Sequence, residues 1–196
     1  YFDDFDDNGQ PEQLLCYHYA GEMRLFATRD EIVKQLVSVK KKYLKHADFA
    51  QAGLHEIFDK QRLRKAKVYT AHTLESYYFE NEGNGKFKPT VLPAEAQFAP
   101  LMAGLSAEFN KDKQADALLL GNFYDCNIQM GRYDASYGAL LLGQGAGRWT
   151  MPAMAQSGLA LTGQFRRVQP LKLADGTQVW LAVRNNDAPV VLGWGR

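Results

Sequence analysis

With 196 residues and a mass of 22.1 kDa, the chain has room for one large domain or two small ones. A hydrophobic content of 46% excludes a disordered tail or a collagen-like rod, and 23 Lys and Arg against 22 Asp and Glu leave a net charge of +1 with no general pull on nucleic acid or an anionic membrane. No apolar run approaches the roughly 20 residues of a membrane span. Cys16 and Cys126 are too few for a disulfide scaffold or a four-thiolate zinc site, and the sequence leaves open whether they pair.

The chain opens at Tyr1 with neither Met nor signal peptide, which reads as processing or truncation upstream. An acidic loop follows at once: Asp4, Asp6, Asn8, Gly9, Gln10 and Glu12, then the apolar Leu14-Leu15-Cys16-Tyr17. Next come Thr28 and Glu31, spaced as a capping box, and apolar residues Ile32, Leu36, Val39, Tyr43 and Leu44 at helical intervals. With Ala50, Leu54, Ile57 and Phe58 they predict two helices, about 30–45 and 48–66. From Arg29 to Lys67 there are 11 Lys or Arg against 5 Asp or Glu, a local net of +6 that reads as a solvated helix face.

Beyond Ser76 short strands alternate with turns, expected at 76–81, 86–92, 117–123, 138–143, 148–151, 159–168, 178–184 and 189–192. Two glycine turns, Gly83-Asn84-Gly85 before Phe87 and Gly145-Ala146-Gly147 before Trp149, predict hairpins that need positive φ. A degenerate third unit runs from Gly176 through Arg184-Asn185-Asn186-Asp187 to Leu192. Between these lies a second acidic loop, with Glu108, Asn110, Asp112 and Asp116 at the positions of Asp4, Asp6, Asn8 and Glu12, displaced by 104 residues. Repeats of this kind mark arrays of supersecondary units.

Alternate oxygen donors on a curled loop suit Ca²⁺, which takes six to eight oxygens at roughly 2.3–2.6 Å. Asp4, Asp6 and Asn8 would offer side chains, Gln10 its carbonyl, and Glu12 the closing carboxylate, while Gly9 turns the chain. Three carboxylates so close repel one another unless a cation joins them. An EF-hand is excluded, because the closing acid falls at position 9 instead of 12 and a strand follows. In the second loop Lys113 replaces the glycine, which sets a cation beside the donors and strain at a positive φ.

Asp4–Glu12 with its following strand, Phe79–Phe87 and Leu141–Trp149 resemble FG-GAP/VCBS repeats, the blades of the integrin-α-type β-propeller. Leu92–Pro100, Gly121-Asn122, Gly131–Ala135 and Arg184–Asp187 further resemble large secreted or surface proteins of bacteria. The resemblance implies a mainly β fold: a partial β-propeller of about three four-stranded antiparallel blades, the first incomplete, with a two-helix insertion. The whole of 1–196 would be the C-terminal part of a propeller, with blades at 4–92 (helical insertion at about 29–67), 97–152 and 158–192. Three blades cannot close a ring, so the expected neighbours are missing N-terminal blades or a second copy.

The resemblance thus implies a non-catalytic, calcium-binding recognition or scaffolding module at the cell surface, extracellular, periplasmic or on the outer membrane. The alternative is part of an extracellular glycan-active enzyme whose site needs the missing blades. His18, His46, His55 and His72 form no metal-spaced pair, and no nucleophile elbow or phosphate loop appears. No catalytic residue is assigned. The stretch Asn122–Asn127 is expected on a loop, where aromatics and amides can hold a sugar or peptide but are also ordinary loop composition, the reading preferred here, so no ligand-binding residue is assigned. No nucleic-acid partner and no membrane span are expected.

Overall fold

The computed structural model describes residues 1–193, with the backbone alone at Gln129. The protein is mainly β, 34% strand against 20% helix, and its sheets are antiparallel. Among the described residues no helix is long and apolar enough to cross a membrane. The chain divides into two compact units, Tyr1–His72 and Thr73–Arg196, so the expected 4–92 segment lies across the division.

In the first unit β1 (Phe2–Asp3) pairs with β2 (Glu12–Gln13) across the first acidic loop. On its other edge Phe2 exchanges two backbone hydrogen bonds with Lys67, of 2.9 and 3.0 Å, so the end of the helical segment returns to the first strand. A hairpin of β3 (Cys16–Tyr19) and β4 (Glu22–Leu25) was not expected from sequence. Its two-residue turn, Ala20-Gly21, has φ of 51° and 83°, the backbone twist that right-twisted strands favour.

Where two helices are predicted, five short ones form: α1 (Arg29–Gln35), α2 (Val37–Lys42), α3 (His46–Gln51), α4 (Leu54–Ile57) and α5 (Lys60–Lys65). The predicted cap is present: the Glu31 carboxylate accepts from the Thr28 amide at 2.8 Å, and Thr28 Oγ1 accepts from the Glu31 amide at 3.4 Å. The helix nevertheless stops at Leu36, which takes up extended angles and is fully buried. Val33, Val37 and Val39 weaken helix propagation here, and burying Leu36 decides the break. Tyr43, Ala52 and Phe58 end the next helices in extended conformations. Helices this short have no stability of their own, so packing of Ile32, Leu36, Val39, Phe49, Leu54, Phe58 and Leu63 into one core holds them.

Two arginines, Arg24 on β4 and Arg29 on α1, tie helix ends down. Arg24 donates to the carbonyls of Ala50 and Gln51 at 3.0 and 2.9 Å, and Arg29 to that of Tyr43 at 2.7 Å. These are carbonyls at helix ends that no intrahelical donor reaches, where a cation is favoured.

The second unit begins with a hairpin, β5 (Tyr77–Gly83) and β6 (Lys86–Val91). A four-stranded meander follows, β7 (Leu101–Ala107), β8 (Asp116–Gly121), β9 (Ala139–Gly143) and β10 (Trp149–Thr150), with each strand hydrogen-bonded to the next in chain order. After the short helix α6 (Met154–Ser157) comes a three-stranded sheet, β11 (Phe165–Lys172), β12 (Gln178–Arg184) and β13 (Val190–Leu192). Both predicted glycine turns take positive φ, at Asn84 and Gly85 (52° and 74°) and at Gly145, Ala146 and Gly147 (70°, 51° and 69°). β7 was not expected, and the strand predicted at 159–168 lies later, at 165–172. Leu118, Leu120 and Leu140 meet Phe165, Val168, Trp180 and Ala182 in one core, while Leu141 and Ala139 meet Leu92 and Ala96 in another. The middle strands therefore bury both faces, which is why they read as unbroken apolar runs.

Candidate functional site

The first acidic loop joins β1 to β2, and its fold follows from competition for backbone N–H groups. Asp4 accepts from the amides of Asn8 and Gly9 at 3.0 and 2.7 Å, and Asn8 Oδ1 accepts from the Gln10 amide at 2.7 Å. Short polar side chains close such turns more readily than they extend a strand. Asp7 and Gly9 take the left-handed conformation, with φ of 60° and 85°. Phe5 turns inward against Phe58, ring centroids 5.0 Å apart, and its amide donates to Glu12 at 2.8 Å.

Asp4, Asp6 and Glu12 are thereby brought together, each offering a carboxylate oxygen within 4.8 Å of the others. Glu12 is buried at 8% exposure, whereas Asp6, Asn8 and Gln10 are exposed. The donor set fits a hard divalent cation: all oxygen, three formal negative charges, and one donor shielded from water. Asn8 and Gln10, expected as further donors, sit on the same turn.

The second loop joins β7 to β8 and repeats this backbone 104 residues on. The Phe109 amide donates to Asp116 at 2.7 Å, the Lys113 amide to Glu108 at 3.1 Å, and the Gln114 amide to Asp112 at 2.7 Å. Lys111 and Lys113 take the left-handed angles of Asp7 and Gly9, with φ of 62° and 68°. The expected strain at Lys113 is therefore present. Its ammonium makes no ion pair among the described residues. Asp116 is fully buried, and its second oxygen accepts from the Gly143 amide at 2.9 Å. A side chain at Gly143 would meet the Ala115 carbonyl oxygen at 2.2 Å, so only glycine lets β9 approach this closely. Glu108, Asn110 and Asp112 ring an exposed turn, and no second carboxylate cluster gathers among the described residues.

One contributor escapes local sequence reading. Arg62 on α5 donates to the Asp4 carbonyl at 2.8 Å and pairs with the Asp7 carboxylate. That hydrogen bond holds the Asp7 carboxyl below its ordinary range and raises the Arg62 guanidinium above its own. Only the basic character of the helical segment hinted at such a partner. Among the described residues neither Arg62 nor any other cation forms an ion pair with the carboxylates of Asp4, Asp6 and Glu12.

The other sequence candidates are dispersed. His18, His46, His55 and His72 are exposed, and among the described residues His46 alone pairs with an acid, Asp30 at 3.5 Å. Cys16 and Cys126 are both free, and burial pushes the Cys16 thiol up. Asn122–Asn127 does begin a loop, but Asn122 is buried and structural, donating to the carbonyls of Ser136 and Gly163 at 2.8 and 2.9 Å. No protein-family model, curated protein or solved structure matches the chain.

Proposed function

We propose that the protein is a calcium-binding β-repeat module, a piece of an FG-GAP/VCBS-type propeller that serves recognition or scaffolding on an exported protein. The observation that carries this reading is the gathering of the Asp4, Asp6 and Glu12 carboxylates, one of them buried, on a loop where no cation among the described residues is ion-paired to those three groups. Asp4, Asp6 and Glu12 hold the ion, Asn8 and the Gln10 carbonyl complete its shell, and the bound charge fixes the loop against α5 and β2. The β7–β10 meander, connected in chain order, supports the reading of 97–152 as one blade. The β11–β13 sheet supports 158–192 as part of another.

Calcium titration by calorimetry, paired with thermal unfolding, tests this. A site that binds only the folded state stabilises it by RT ln(1 + [L]/Kd), about 2.7 kcal/mol at a hundredfold excess over Kd. Asp6→Ala, an exposed change, should leave the calcium-free protein folded and remove both the heat and the stabilisation. Identical melting of the wild type in calcium and in chelator would end the proposal.

A further inference from the structure

The chain contains two Asn-Gly pairs, Asn8-Gly9 and Asn84-Gly85, and the structure gives them different surroundings. Such pairs deamidate without an enzyme. The glycine amide nitrogen loses its proton to hydroxide and attacks the asparagine Cγ, forming an N–Cγ bond. The Cγ–NH₂ bond breaks and ammonia leaves. Water then opens the cyclic imide at either carbonyl, giving aspartate or isoaspartate, with no change of oxidation state. Glycine favours the step because it has no side chain to block the closing ring.

Asn84 and Gly85 are the two central residues of the β5–β6 turn, and both are exposed. Among the described residues neither the Asn84 side chain nor the Gly85 amide has a hydrogen-bond partner, and a side chain built on Gly85 would meet nothing within 4 Å. At the other pair the attacking nitrogen is engaged. The Gly9 amide donates to Asp4 Oδ2 at 2.7 Å, and the target side chain is held as well, Asn8 Oδ1 accepting from Gln10 at 2.7 Å. A carboxylate beside the amide also opposes its deprotonation, since it would create a second negative charge alongside the first.

We infer that Asn84-Gly85 is a site of spontaneous deamidation by water, and that Asp4 keeps Asn8-Gly9 unreactive. A hydrogen bond to a charged acceptor lowers the open population by roughly ten- to a hundredfold, which sets the expected difference in rate. Reaction at Asn84 adds a carboxylate near Glu80 and Glu82, and the isoaspartyl product puts an extra backbone carbon into a two-residue turn.

The full chain, incubated with chelator at mildly alkaline pH and body temperature, is digested and its peptides weighed, each deamidation adding about one dalton. Denatured protein supplies the reference rate for each pair. In the folded protein Asn84 should react near its reference rate and Asn8 at least about tenfold below its own. Asn84→Gln should remove the isoaspartate detected by enzymatic methylation, and Asp4→Ala should bring Asn8 up toward its reference rate. The inference is overturned if the two pairs react alike in the folded wild type, if Asn84 is slowed as much as Asn8, or if isoaspartate persists in Asn84→Gln.

Discussion

Asp4–Glu12 and Glu108–Asp116 place a phenylalanine amide on a carboxylate seven residues on, left-handed residues at matching positions, and an Asx turn onto Gln10 or Gln114. Their buried rings lie against an aromatic partner at the same centroid distance, 5.0 Å, Phe5 on Phe58 and Phe109 on Trp180. They differ in what satisfies the closing carboxylate. Asp116 has two backbone N–H donors, from Phe109 and Gly143. Glu12 has one, from Phe5, and two other carboxylates for neighbours. The same loop fold thus carries one closing carboxylate satisfied by two backbone donors and one crowded by two other carboxylates, where we propose the cation. The surroundings differ too: helices cover the first phenylalanine, where a β-sheet covers the second.

The largest expected effects come from the two aromatic partners. Phe58→Ala and Trp180→Ala should each cost about 3–5 kcal/mol, the usual loss for a truncated core aromatic. Urea unfolding with and without calcium separates them. Calcium should return stability to the unit carrying Phe58→Ala by mass action and add nothing to the unit carrying Trp180→Ala. Equal rescue of both would place a metal at the second loop as well and break the contrast.

Next are the closing carboxylates. Asp116→Ala strands two buried N–H groups at about 1–2 kcal/mol each, so a loss of about 2–4 kcal/mol should follow at any calcium concentration. Glu12→Gln keeps an acceptor for the Phe5 amide and removes one of three crowded charges. In chelator it should cost less than about 1 kcal/mol or even stabilise, and in calcium it should lack the wild-type gain. Denaturant midpoints of both variants under both conditions read this directly. A calcium-independent loss for Glu12→Gln as large as that of Asp116→Ala would make the loops equivalent.

Much of this contrast was legible in the sequence, because it is written in local chemistry. Alternating Asp and Asn on a turn, and glycines in a tight bend, act within a few residues, and both acidic loops and both glycine hairpins lie where those signals stand. Contributors from a distance left no local trace. Arg62 reaches Asp7 across 55 residues, and Gly143 reaches Asp116 across 27. β7 escaped because its outward positions, Met102, Gly104 and Ser106, include small residues with weak strand preference. The helical segment kept its apolar period but not its continuity. The periodicity of Ile32, Leu36 and Val39 fits one helix, whereas the core they fill needs the chain to bend at Leu36.

The smallest effects concern the turn residue where the two loops part in sequence, Gly9 against Lys113. Both occupy the left-handed region, with φ of 85° and 68°, and a side chain there costs roughly 1–2 kcal/mol of steric strain. Glycine in turn loses more chain entropy on folding, which cancels part of that relief. Lys113→Gly should therefore stabilise the second unit by no more than about 1 kcal/mol, and Gly9→Ala should destabilise the first by about the same amount. Nothing lies within 4 Å of a side chain built on Gly9, so strain alone sets the cost there. Among the described residues the ammonium of Lys113 has no ionic partner to lose, so the gain in Lys113→Gly should be independent of salt. A loss of stability in Lys113→Gly that grows as salt is lowered would instead assign the lysine a charge role at the Glu108–Asp116 turn. The second loop would then be balanced by its own cation, and the contrast with the first would become one of lysine against metal.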